Sequence, residues 1–131
     1  MSTGNLIIQT RAADDALPVT DAAVTVYMSD ADGMLQPAAD ARTDRSGSSP
    51  VLPLSAPAPG TDVQQIPPYA LYRVDISHPG YRPVTVLDVA VFSGITTNLP
   101  ITMVPPRTPE EQTKRIIINS AESGPTGSGV Q

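Results

Sequence analysis

Hydrophobic and polar residues alternate with a period of two through most of the first hundred positions, the spacing of strands with one buried face. The stretch "GNLIIQTRA" (4–12) puts Leu6, Ile8 and Thr10 on one face. "AAVTVYMSD" (22–30) sets Val24, Val26 and Met28 against Thr25, Tyr27 and Ser29. "YALYRVDIS" (69–77) does the same with Tyr72, Val74 and Ile76, and "TTNLPITMV" (96–104) with Leu99, Ile101 and Met103. In "PVTVLDVAVF" (83–92) the phase slips, because Val84 and Val86 are even-numbered and Val89 and Val91 odd. A bulge near Leu87–Asp88 restores it. "MLQPA" (34–38) reads as a short returning strand, and Val51 to Leu54, flanked and broken by Pro50 and Pro53, as an edge strand.

Turn signals fall between these runs: "DADG" (30–33), Asp44–Gly47, the Pro-rich "APAPGTDVQQIPP" (56–68), and "HPGY" (78–81). About seven short strands at this spacing predict an all-β fold, an antiparallel Greek-key sandwich. No helical period precedes residue 105. After it, "RTPEE" resembles a helix start, with Thr108 as cap, Pro109 in the first position and Glu111 three residues past the cap. "RIIIN" (115–119) is β-branched and prefers a strand, and "SAESGPTGSGVQ" has the composition of a flexible end. The expected organisation is a body over 1–104 and an extended tail over 105–131.

Composition narrows the chemistry. A chain of 131 residues suits one domain, and its core must come from aliphatic side chains and a few Tyr, since Phe is single and Trp absent. No cysteine is present, which excludes disulfides, thiolate catalysis and cysteine-ligated metals. All ten Asp and five of the seven Arg lie before Pro105, so the body carries the whole net charge of −5. An acidic body argues against a nucleic-acid partner. No apolar run reaches membrane-spanning length, and "MSTGNLIIQT" lacks the basic and apolar regions of a secretion signal. The expectation is a soluble chain with no membrane insertion and no ordinary signal peptide.

Several pieces, in order, resemble a known family. Pro18, Val19, Ala22 or Ala23, Val24 and Val26 fit a "P-V-x-x-A-x-V-x-V" strand; Thr43, Asp44 and Gly47 fit "T-D-x-x-G"; Tyr72, Val74, Ile76, Gly80 and Tyr81 fit "Y-x-V-x-I" ending in "G-Y". The pattern, over about 4–104, is similar to the carboxypeptidase regulatory-like and Cna-B-like domains, which are transthyretin-like (prealbumin-like) β-sandwiches. Residues 67–105 look like the form of this domain found beside spore cortex-lytic and peptidoglycan-associated bacterial proteins. That resemblance implies a spore, cell-wall or envelope setting. Some members of the family form an isopeptide bond from a lysine on an early strand; the only lysine here, Lys114, lies in the tail. The transthyretin-related hydrolases carry several active-site His and Arg and a characteristic C-terminal tetrapeptide, which this chain does not match.

Candidate sites are few. His78, the single histidine, stands before Pro79–Gly80, where it flanks a turn; Asp75 and Ser77 fall on the opposite strand face. Asp30, Asp32 and Gly33, joined by Asp40 or Asp44, suggest a calcium loop, but the twelve-residue spacing with a terminal Glu is missing. No catalytic, metal or cofactor-binding residue is assigned. Tyr69 and Tyr81 flank a strand and are candidate ligand contacts, whereas Tyr72 is in phase with the core. Arg115, Ile116, Ile117 and Ile118 are the candidate partner or self-association segment. Three destinations are open to it: its own sheet, a neighbour's edge, or solvent. Few residues are spent on capping edges, which favours strand exchange.

The expected function is a non-catalytic structural or interaction module, assembling with copies of itself or anchoring in a bacterial spore, envelope or surface structure. Its partner would be protein, as a homo-oligomer or filament. The alternative is a carbohydrate- or peptidoglycan-binding module using loop aromatics.

Overall fold

A computed structural model describes residues 2–12, 17–29, 33–57 and 69–119. These contain nine strands: β1 Ser2–Ala12, β2 Leu17–Pro18, β3 Ala23–Ser29, β4 Leu35–Arg42, β5 Leu52–Ala56, β6 Tyr69–Ser77, β7 Val84–Phe92, β8 Thr96–Thr102 and β9 Ile116–Asn119. Seven of them answer the seven strands expected before residue 105 and β9 answers the β-prone "RIIIN"; β2 is an addition. Two sheets face each other. In one, β1 is central, with β8 on one side and β5 and β2 end to end on the other. The other has the order β4-β3-β6-β7-β9.

The alternating residues point where their period places them. Val24, Val26, Val74, Ile76, Val84, Val86, Val89 and Val91 from one sheet meet Leu6, Ile8, Leu52, Leu54 and Ile101 from the other, all buried. The slip in β7 is a bulge: Tyr72 opposes Val89 while Val74 opposes Val86, and Asp88 takes φ 58°. One extra residue there returns both pairs of valines to the core. Tyr72 crosses that core, its hydroxyl donating to the Ser55 carbonyl at 2.6 Å, which ties β6 to β5 in the opposite sheet. Burial holds its phenol above the ordinary tyrosine value.

The purely antiparallel expectation needs correction. β1 pairs with β8 in parallel over Asn5–Arg11, and β7 pairs with β9 in parallel over Val84–Leu87. Local alternation sets which face a strand buries but says nothing of its neighbour's direction. β4 also runs longer than "MLQPA", to Arg42, with a register shift opposite Val26/Tyr27 that accommodates Pro37. The helix start becomes a single 3-10 turn, Pro109–Thr113; Thr108 caps it, accepting from the Glu111 amide at 3.4 Å. Asp30, Asp32, most of the Pro-rich loop and the chain after Asn119 lie outside the described residues.

The crossovers between the sheets are bolted to β1 by buried hydroxyls. The Val19 carbonyl accepts from Thr43 Oγ1 at 2.7 Å and from Thr10 Oγ1 at 2.9 Å. Thr43 Oγ1 in turn accepts from the Ala22 amide at 2.9 Å. Ser49 Oγ accepts from the Ile8 amide, and the Ser49 amide donates to the Ile8 carbonyl, at 2.9 and 2.8 Å. Gly47 seals this knot. Its φ is 81°, its carbonyl takes the Thr10 amide at 2.7 Å, and a Cβ there would sit 2.3 Å from the Thr10 carbonyl oxygen. Gly33 has nearly the same φ, 82°, with nothing within 4 Å of its Cβ position.

That pair makes a test of packing against backbone conformation. Gly33→Ala is expected to cost about 1 kcal/mol from φ alone. Gly47→Ala should cost more than about 3 kcal/mol, because the Thr10 carbonyl must also move. Urea unfolding of both variants measures this, and equal losses would contradict it.

Candidate functional site

The tail crosses from one sheet to the other and closes over β7. After β8 the chain buries Met103, and the Val104 carbonyl accepts from the Arg82 amide at 2.8 Å. The 3-10 turn then rests on the "HPGY" corner, where Gln112 Nε2 donates to the Pro79 and Tyr81 carbonyls at 2.8 and 3.2 Å. Arg82 Nε reaches the Lys114 carbonyl at 3.1 Å. Glu111 accepts the Arg107 amide at 2.8 Å, and that bond holds its carboxyl below the ordinary range. The segment is thus anchored before β9 begins.

β9 adds to β7 with Ile116 donating its amide to the Pro83 carbonyl at 2.8 Å. The ladder pairs Val84 with Ile116, Thr85 with Ile117 and Val86 with Ile118. Ile116 and Ile118 are half-buried against the core, so each gains only part of the roughly 1.5–3 kcal/mol of full burial. Ile117 faces outward and is 65% exposed. At the far end Asn119 Nδ2 donates to Asp88 Oδ2 at 3.0 Å, on the bulge.

Arg115 fastens the strand from the outer face. Its Nη1 donates to Thr85 Oγ1 at 3.0 Å. Thr85 Oγ1 donates to Asp75 Oδ1 at 2.9 Å, and Asp75 also takes Arg73 Nε at 2.9 Å and Arg73 Nη2 at 3.2 Å. These bonds hold the Arg73 guanidinium above its ordinary value. Thr85 is 2% exposed although it points away from the core, because this chain of polar groups covers it. Arg73, Asp75, Thr85, Arg82 and Gln112 escape sequence reasoning, since their partners lie far along the chain and no local motif marks them.

The other candidates disperse. Tyr69 stacks tilted on Phe92, centroids 5.4 Å apart, while Tyr81 meets His78 edge-on at 5.3 Å. Tyr69 opens β6 and Tyr81 lies past the turn at its other end, and β6 is about 26 Å long at 3.3 Å per residue, so they do not form one platform. Tyr81 and His78 line a shallow cleft of about 300 Å³ with Ser77, Pro79, Pro83 and Gln112. His78 Nδ1 accepts from the Gly80 amide at 3.1 Å, a bond that shapes the turn. Asp44 Oδ1 is occupied by the Ser46 hydroxyl and the Ser46 and Ser48 amides at 2.7, 2.9 and 3.1 Å. The Ser46 bond is the main reason its carboxyl stays below the ordinary range. Among the described residues no three His, Asp or Glu side chains converge as metal ligands. No described helix is long and apolar enough to cross a membrane.

No protein-family model and no curated protein matches the sequence. Solved structures do. The Bacillus anthracis TIE protein is similar at 17% identity and a TM-score of 0.50, over 79% of this chain. The minor pilin of the Gram-positive pathogen Streptococcus agalactiae is similar at 17% identity and 0.53, over 82% of this chain. Catechol 1,2-dioxygenase of Pseudomonas arvilla C-1 is similar at 11% identity and 0.55, over 86% of this chain. The chain spans 17%, 47% and 55% of the length of those three proteins. At these identities the likeness is one of fold, an all-β sandwich, and the same fold carries a pilin and a dioxygenase.

The tail clamp can be measured. Thr85→Val, Arg115→Ala and the double variant, compared by thermal unfolding, should show a coupling of about 0.5–1.5 kcal/mol between the two side chains. Additive losses would show that Arg115 does not hold β9 through Thr85.

Proposed function

We propose that the protein is a non-catalytic structural and interaction module, with residues 1–104 as its body and 105–131 as the tail through which it associates with copies of itself or anchors to another protein. The setting that fits is a bacterial spore, envelope or surface structure. The observation that carries the reading is β9 itself, a four-residue strand with three isoleucines delivered from outside the body to extend a sheet. A strand added this way is held by main-chain bonds and two half-buried isoleucines, interactions that any chain presenting the same edge supplies equally well. In an exchanged arrangement the bonds of Gln112, Arg115 and Ile116 would be remade on a neighbour, with Pro105–Pro106 as the hinge. The resemblance to surface and wall-associated sandwich modules, and a solved minor pilin with this fold, support the setting.

Light scattering after size exclusion, on the full chain and on a chain ending at Pro106, tests it. The full chain should gain mass with concentration, and the shorter one should lose that associated state. Identical monomers in both would remove the assembly reading.

A further inference from the structure

Prolines are distributed unevenly between the inner and outer strands. The inner strands β1, β3, β6 and β7 contain none. The outer strands β2, β4, β5 and β8 carry Pro18, Pro37, Pro53 and Pro100. A proline in an edge strand removes an amide and blocks the addition of another strand. Among the described residues β9 is the one outer strand without this protection. The five residues of β7 beyond it, Asp88–Phe92, begin at the Asp88 bulge, another device that spoils an edge.

The backbone of β9 is oriented for a partner. Ile116 turns its amide to the Pro83 carbonyl of the same chain. Strand alternation then turns the Ile118 amide the same way and the N–H and C=O of Ile117 outward, in the plane of the sheet. Among the described residues the Ile117 side chain is the most exposed of the large apolar ones, at 65%. We infer that the outer edge of β9 at Ile117 joins two copies of this chain, antiparallel about a two-fold axis, with Ile117 opposite Ile117 of the second copy. Among the described residues the other outer strands of that copy are proline-blocked and the uncovered end of β7 is bulged, so its β9 is the acceptor that remains. In this register each Ile117 amide donates to the other Ile117 carbonyl. The two exposed side chains cover each other, and Ile116 stands opposite Ile118. Two five-stranded sheets become one of ten. Four residues of edge make a small interface, so the dimer is weak and fills with concentration. This rests on the association proposed above but holds whether β9 lies on its own β7 or on an exchanged one.

The test uses the full chain. Ile117→Pro installs the device found at the other edges without touching the Ile116 bond to Pro83. Sedimentation should show its dimer dissociation constant raised at least about ten-fold, with Ile117→Lys behaving alike in case the proline disturbs β9. The chain has no cysteine, so Ile117→Cys gives one unique thiol. A short bifunctional thiol reagent should link it into dimers, since directly opposed Cβ atoms lie about 5 Å apart. Ile95→Cys, 48% exposed in the turn before β8, should stay monomeric. If the full chain associates, but both Ile117 variants associate equally and Ile117→Cys links no better than Ile95→Cys, the edge inference falls while the association reading stands. A full chain that is monomeric at every concentration overturns both.

Discussion

The Val19 carbonyl, shared by the hydroxyls of Thr10 and Thr43, is the contact on which the architecture turns. Thr10 is on β1, the centre of one sheet; Val19 and Thr43 are on the two crossovers that leave that sheet and return to it. All of these groups are buried, and each would cost about 1–3 kcal/mol if its partner were removed. No buried side-chain polar atom among the described residues lacks a partner. The two sheets are therefore held by directional bonds as well as by their aliphatic interface. Gly47 belongs to the same knot, because only a residue without a side chain lets the turn approach Thr10 so closely.

A pinned body determines where the chain goes next. β8 lies parallel to β1, so it ends beside Arg11 at one end of the sandwich, near the "HPGY" corner. From there the shortest path to unpaired backbone leads across that corner to β7. Gln112, Arg82 and Arg115 mark the path with one hydrogen-bonding side chain after another. The edge of β7 is thus covered over Val84–Leu87 and a new edge, that of β9, is displayed. The prolines in the remaining outer strands make the difference between the edges a chemical one, since an amide that is absent cannot be donated.

Much of this was legible in the sequence. Alternation located the buried faces of β1, β3, β6 and β7, and the slip from Val86 to Val89 located the bulge at Leu87–Asp88. The turn at Asp44–Gly47 was visible as a turn, but its role as a seal was not, since that depends on the Thr10 carbonyl across the fold. Direction was hidden: an amphipathic strand reads the same beside a parallel or an antiparallel neighbour, and so β1 with β8 and β7 with β9 came as corrections. The sense that edges were left uncapped also changes, because Pro18, Pro37, Pro53 and Pro100 become edge devices only once their strands are seen to be outermost. The tyrosines illustrate the converse. Their number drew attention, while the length of β6 separates Tyr69 from Tyr81.

The central claim is a locked body with one open edge, and amide hydrogen exchange resolved by residue tests it most directly. The amides of Thr10, Val19 and Thr43 should exchange only with global unfolding. The Ile117 amide should exchange nearly as fast as in an unfolded chain when the protein is dilute, and slow as concentration rises, while Ile116 stays protected throughout. An Ile117 amide protected at every dilution, or knot amides exchanging before those of β9, would contradict the account.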